Sequence, residues 1–405
     1  MSYDIIIIGA GIAGLYCGYT CKKRNPKCNL LLLEKADIGG RMGSSPFYGT
    51  QLAIGAGIGR DNKDILLKKL LKELAVPSKK FTTDTDYAPA LRNMCNVKQT
   101  FLHIKKEYKK QGQPRKITFK EFAEPLLGKD AYNIFTACAG YTDYENEDIH
   151  DTLYHYGFED NYEEFVGIGI PWSQLLTKLI QIIGKSSIKT HSTVTKVTNL
   201  DDHYAIKVKE RDSLYLSSKV VLASTVDMVI KLIGQQFPIY KEIHGQPFLR
   251  IYGKFSKEST LIMKEAMKSH ILVVPGTLHK LITMDAETGV YMIAYTDNKG
   301  ALSLKKYSEN TERNRGTLCR LLEKTLNIPT NSLELLAISS FYWPIGTHYY
   351  EPLSSEYRSR QAFIKEAQTP EKNLFVIGEM VALHQGWVEG ALESVEHIIN
   401  KLLLR

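Results

Sequence analysis

Three glycines and one acid near the N-terminus are the first residues whose types and spacing could do chemistry. Gly9, Gly11 and Gly14 stand as G-x-G-x-x-G after an isoleucine run, and Glu34 closes a second apolar run twenty residues beyond Gly14. That order reads as strand, tight turn, helix, strand. Gly9 permits the turn, Gly11 leaves room for a pyrophosphate to approach the backbone, and Gly14 lets helix and strand pack closely. The helix N-terminus offers unpaired N–H groups to phosphate charge, and Glu34 is placed to accept hydrogen bonds from an adenosine ribose. Ala13 within the turn and Lys35 beside the acid complete the expected contacts. The chemistry so defined is dinucleotide binding, and it suits NAD and FAD alike.

Further glycines extend this set. Gly39 and Gly40 precede Arg41 and Met42, a spacing that can bring backbone and one guanidinium to the same pyrophosphate. Gly55, Ala56, Gly57 and Gly59 with Arg60 suggest a second backbone segment close to an extended ligand. At the far end, a short apolar strand leads to Gly378 and Glu379. Gly386, Trp387, Val388, Glu389 and Gly390 then open a helix with Ala391, Leu392, Val395, Ile398, Ile399 and Leu402 on one buried face.

The isoleucine-rich strand, GAGIAG, LLLEK and GGRM, together with this C-terminal signature, resemble the flavin-containing amine oxidases, the group of monoamine, polyamine and L-amino-acid oxidases. The resemblance covers nearly the full chain and is strongest at its ends. It implies FAD as cofactor, with Glu379 near the ribityl chain, Val194 by the adenine, and the helix from Val388 aimed at the isoalloxazine, where positive dipole density favours the reduced ring. In WPIGTHYY the resemblance places Tyr349 opposite Trp387 across a substrate amine, with Tyr350 as the alternative register. His348 falls where monoamine oxidases carry the cysteine that bonds to flavin, so non-covalent FAD is expected. Arg250 matches a family lysine that holds a water near flavin N5. Three roles stay open to it: that water, a substrate carboxylate, or a solvent-facing strand position.

The implied reaction is oxidation of an amine to an imine, hydrolysis to a carbonyl, and reoxidation by dioxygen with release of hydrogen peroxide. The protein's part is to position donor and cofactor. The same architecture serves other chemistry, so an FAD oxidoreductase on a non-amine, or an inactive FAD-stabilised binding protein, stand as alternatives. No HExxH or comparable metal constellation occurs among the eleven histidines.

The elements that must position these residues follow from length and pattern. The 405 residues exceed one ordinary core, so about two domains are expected. The fold class expected is α/β: a discontinuous Rossmann-like FAD-binding domain (1–75, 185–238 and 337–405) with an inserted α+β substrate-binding domain (76–184 and 239–336). Thr118 with Glu121 reads as a capping box, residues 172–183 as a helix after a glycine-proline turn, and 188–197 as a strand. The segment 143–160 is acidic and aromatic without a clean period, and four strand-like pieces between 248 and 297 suggest an antiparallel sheet.

Composition narrows the partners. The net charge of +8 is not extreme, and the lysines between 68 and 120 read as a solvated face, so no nucleic acid is expected. Six cysteines show neither a metal pattern nor a disulfide framework, with Cys17 and Cys21 as small apolar packers. The apolar run beginning at once is needed as a strand, which argues against a signal peptide, and no apolar stretch is long enough for a membrane span. A final helix running to Arg405 leaves no room for a membrane tail. A cytoplasmic enzyme with a small-molecule amine substrate is expected, with homodimerisation open.

Overall fold

The computed structural model describes residues 2–404. Its first sheet has seven strands, with the strand Ser2–Ile8 between Leu30–Leu33 and Tyr215–Leu222, all parallel. Ile5 to Ile8 and Leu30 to Leu33 are buried because parallel strands are covered on both faces, which is why both read as unbroken apolar runs. Leu374–Val376 adds in parallel to Tyr215–Leu222. The helices Ile12–Arg24 and Val388–Leu403 share one core with the sheet, so the two ends of the chain build one nucleotide-type unit.

The second sheet has six strands, in the order Leu335–Tyr350, Ile243–Phe255, Val290–Asp297, Lys280–Asp285, Ile271–Val273 and Thr85–Tyr87. Alternation is clear in Ile243–Phe255: Leu249 and Ile251 enter a core beneath the sheet, while Phe248, Arg250 and Tyr252 face a cavity. A largely helical excursion, from Val97–Lys110 to Ile149–Tyr154, packs around its own aromatic core. The capping box is present: Thr118 Oγ1 accepts from the Glu121 N–H at 3.2 Å, and the Glu121 carboxylate accepts from the Thr118 N–H at 2.9 Å.

Several local expectations are revised. The helix Trp172–Ile183 forms as expected, but the glycines before it belong to a strand, Val166–Gly169, paired with Ile58–Arg60 and Lys79–Thr82. That helix packs in the same core as Ile12–Arg24, although the sequence reading put it in the excursion. Leu335–Tyr350 pairs along Ile243–Phe255 rather than with the nucleotide sheet, because its apolar face covers the second core. The expected strand over 188–197 is broken at His191, whose φ is 50°, into Ile188–Lys189 and Val194–Asn199. Cys95 and Cys138 form a disulfide that the cysteine spacing did not disclose, while Cys17 and Cys21 are buried packers. Disulfides persist in oxidising surroundings, so this pair bears on the cytoplasmic location expected from the sequence. Among the described residues no helix is long and apolar enough to cross a membrane.

Candidate active site

A cavity of about 1230 Å³ is lined by residues of both sheets. Its nucleotide end is made of backbone. A Cβ on Gly9, at φ 109°, would lie 2.2 Å from the Ala223 carbonyl oxygen, and one on Gly14 would lie 2.0 Å from that of Gly9. These two glycines are demanded by strand and helix packing. Gly11 differs: a Cβ there meets nothing within 4 Å, and the residue faces the cavity. The helix Ile12–Arg24 starts at Gly11 with no side-chain cap and no acid in its first turn, so its N–H groups are left for a ligand.

Glu34 is held in place by two backbone donors, Ala10 N–H at 2.8 Å and Ala36 N–H at 2.9 Å. An ionised carboxylate has about four acceptor sites, so two remain for ribose hydroxyls. Lys35 sits at the rim, and Val194 lines the wall near Ser192, whose N–H donates to the Glu34 carbonyl at 2.8 Å. Gly40 and Gly55 both line the cavity. Gly55 is also required by the chain itself, since a Cβ would lie 2.1 Å from the Arg41 carbonyl oxygen.

In the middle of the cavity Glu379 gathers three partners. Arg41 reaches it at 2.7 Å, the Gly386 N–H donates at 3.1 Å, and His348 bonds to it through Nδ1. Burial alone would raise this carboxyl, but His348, Arg41 and the Gly386 N–H together hold it well below the ordinary carboxylate range. His348 Nε2 accepts from the Val226 N–H at 3.2 Å, so both ring nitrogens are engaged. Arg41 also donates to the Gly346 carbonyl at 2.8 Å, which ties the guanidinium expected at the pyrophosphate to the WPIGTHYY segment as well as to Glu379 of the C-terminal signature.

The other end of the cavity is made of side chains. Tyr349 and Trp387 both line it, whereas Tyr350 is buried in the nucleotide core and donates to the Ala382 carbonyl at 2.9 Å. Tyr349 stacks on His244 with centroids 5.3 Å apart. One face of Trp387 carries the Arg60 guanidinium at 3.6 Å, which is neutralised by Asp64 and Asp160, leaving the rest of the indole for a ligand. Val388 and Ala391 follow on the same wall.

Arg250 is 7 % exposed and faces the cavity, not solvent. It donates to Tyr295 Oη at 3.1 Å and to the Ala53 carbonyl at 3.4 Å, and lies 3.4 Å from where a Gly57 Cβ would be. The small residues Gly55, Ala56 and Gly57 therefore leave space that a guanidinium and a ligand can share.

The expected site residues lie on this one cavity except Gly14, which acts from behind it, and Gly59 and Arg60, which do not line it. Sequence reasoning missed Tyr141, just ahead of the segment without a period, Asp143, Glu147 and Tyr156 within it, and Lys280 and Tyr295 from the second sheet. Burial pushes Asp143 up to about 7, with Asp297 adding to it, and pushes Glu147 well above the ordinary range. The only sequence signal for the first group is the density of acids and aromatics between 141 and 160.

A glycine-rich phosphate cradle joined to an aromatic, ionisable chamber defines a dinucleotide-dependent oxidoreductase. Residues 97–395 match the model of the flavin-containing amine oxidoreductases, and residues 7–74 match the NAD(P)-binding Rossmann-like domain. The chain belongs to the flavin-containing amine oxidoreductase family, and it is an FAD-dependent amine oxidoreductase. Two solved structures are similar over their whole length. Wild-type putrescine oxidase bound to putrescine has 14% identity and a TM-score of 0.77, with 100% of each chain covered. A single mutant from a redesign of cofactor binding in putrescine oxidase has 13% identity and a TM-score of 0.76, covering 100% of this chain and 99% of that one. None of the curated proteins matches the sequence.

Proposed function

We propose that this protein oxidises an amine to an imine that hydrolyses to a carbonyl product, with dioxygen as the electron acceptor and hydrogen peroxide as co-product. The observation that carries this reading is that Tyr349, Trp387 and Arg250 line the same cavity as the glycine cradle, although they lie far apart in sequence. FAD, when bound, supplies the two-electron acceptor for the carbon bearing the amine. Gly11 and the first N–H groups of Ile12–Arg24 would hold its pyrophosphate, and Glu34 its ribose. Tyr349 and Trp387 offer faces that orient an amine and attract its cationic form before deprotonation. Arg250 holds its charge at the cavity wall for a water or an anionic group.

Non-covalent binding of FAD is part of this reading. Its support is that the free cysteines Cys17, Cys21, Cys28 and Cys319 are buried away from the cavity, and that His348 has both ring nitrogens engaged. We further propose that the functional division of the chain follows its two sheets, with Leu335–Tyr350 counted in the substrate-binding unit and Trp172–Ile183 in the FAD-binding unit.

The test is the absorption spectrum of the purified protein, followed by anaerobic mixing with a panel of amines. Bleaching of bound flavin by an amine, and peroxide release on admitting air, are the expected results. A flavin that no amine reduces would overturn the proposal, and flavin retained by the acid-denatured pellet would overturn its non-covalent part.

A further inference from the structure

The floor of the substrate end is a row across the second sheet. Arg250 pairs with Tyr295, and Tyr295 pairs with Lys280, on three adjacent strands. Paired residues point to the same face, so Arg250, Tyr295 and Lys280 stand side by side under the cavity, and all three line it. Adjacent strands lie about 4.8 Å apart, which separates the two cations by about 10 Å at the backbone. Tyr141 crosses above this row, edge-on to Tyr295 with centroids 5.5 Å apart and 3.6 Å beneath the Lys280 ammonium.

Lys280 is 7 % exposed. Its stem runs where residue 140 has no side chain, since a Cβ on Gly140 would lie 2.5 Å from Lys280 Cε. The left-handed Gly140, at φ 68°, ends the helix Lys129–Ala139 and so both opens this slot and delivers Tyr141. Among the described residues, no carboxylate comes within 4.0 Å of the ammonium and no hydrogen-bond acceptor meets it. The nearby acids are occupied elsewhere. Asp143 accepts from Tyr156 Oη at 2.6 Å, and Asp297 accepts from the Thr142 N–H at 2.9 Å and from the Thr142 hydroxyl. Glu147 accepts from the Thr152 hydroxyl at 2.7 Å, and Asp160 is paired with Arg60 and Lys63. The ammonium is open to the cavity rather than sealed from it, and its three donors meet no acceptor in the protein, so an anionic oxygen entering the cavity finds an unpaired charge on a largely desolvated side chain.

We infer that Lys280 anchors an anionic group on the far end of the substrate, so that the preferred donor is an amine carrying a distal carboxylate or similar oxyanion rather than a diamine. This deepens the proposed amine oxidation and rests on it. Burial pushes Asp143 and Glu147 above the ordinary carboxylate range, which weakens the negative charge either would present to a second ammonium. Lys280 is itself pushed down to about 7 by burial, against the pull of Asp143 and Asp297, and an anion beside it would favour its charged form.

The experiment compares the ω-aminocarboxylate, the α,ω-diamine and the plain alkylamine of equal length, over a series of lengths, by anaerobic flavin reduction in the holoenzyme. The aminocarboxylate should show an apparent Kd about tenfold or more below that of the alkylamine, with the diamine weakest. Lys280→Met should remove that difference, and Lys280→Arg should restore it. Calorimetric titration with the unreactive alkyl carboxylate reads the same anchor without turnover: the wild type and Lys280→Arg bind it, Lys280→Met does not. If Lys280→Met loses its fold, the substrate ranking in the wild type and the Lys280→Arg titration still decide. A wild type that prefers the diamine, or a ranking unchanged in Lys280→Met, overturns this inference alone. Absence of reduction by every amine overturns the amine reading as well.

Discussion

The two ends of the cavity are built from different material. At the nucleotide end the wall is backbone: glycines that admit a ligand or another strand, and N–H groups at a helix start. At the substrate end the wall is side chains from distant segments: Tyr141 and Asp143 from a loop, Arg250, Lys280 and Tyr295 from three strands, and Trp387 from the start of the last helix. A backbone cradle recognises what every dinucleotide shares, while a chamber of ionisable and aromatic groups discriminates among donors. Damage to the first should abolish cofactor loading, and damage to the second should change rates and preferences in a protein that stays loaded.

The largest effects are expected in the cradle, and they should divide between two glycines. Gly14→Val drives a Cβ into the Gly9 carbonyl, an overlap that backbone cannot relieve, and should cost about 3 kcal/mol or more of stability in apo and loaded protein alike. Gly11→Leu points into open space, so the apo protein should melt near the wild-type temperature while FAD binding is lost. Thermal melts with and without added FAD separate the two, and equal melting losses in both apo variants would contradict the assignment.

Next come the aromatic walls. Tyr349→Ala and Trp387→Ala should each slow anaerobic flavin reduction by about tenfold to a hundredfold, as loss of orientation does, with most of the FAD retained. Trp387→Ala should also lower the melting temperature somewhat, because Arg60 loses the ring it covers. Unchanged reduction in both variants would remove these rings from the site.

Arg250→Met should have a smaller effect, confined to one half-reaction and with FAD affinity largely kept. The buried guanidinium has no carboxylate partner within 4.0 Å among the described residues, so its removal should leave stability equal or higher. Stopped-flow records divide its roles: a change in reoxidation alone marks a water near the flavin, and a raised apparent Kd in reduction marks a substrate anion. No change in either half-reaction would deny Arg250 any part in the site.

The smallest effect is a slope. Asp143 is raised from 3.8 to about 7, so between those values the folded state holds a proton that the unfolded chain has released. Its contribution is fully present below about pH 4 and is lost as pH rises through about 7. Asp143→Asn should therefore flatten the decline of stability over that interval, read as melting temperature against pH. Parallel curves for wild type and variant would show that Asp143 does not titrate there.

The expected N-terminal spacing, the capping box at Thr118 and the helix Trp172–Ile183 all stand in the fold because local chemistry decides them. The glycine cradle and the C-terminal signature were legible for the same reason: a turn, a cap or a close backbone approach restricts residue type within a few positions. Leu335–Tyr350 was misplaced because a strand pattern shows that a face is buried but not against which sheet. The Cys95–Cys138 pair, 43 residues apart, depended on the chain just before the helix Val97–Lys110 meeting the helix Lys129–Ala139.

The sequence by itself determined the α/β class, the FAD cofactor and the family, since these rest on short-range backbone geometry and on motifs that keep their spacing. Tertiary structure alone decided that Tyr349 and not Tyr350 enters the cavity, that Arg250 faces inward, and that Lys280 shares its floor with Tyr295. Those outcomes depend on strand register across a sheet, and shifting one strand by one residue would turn each of these side chains to the opposite face.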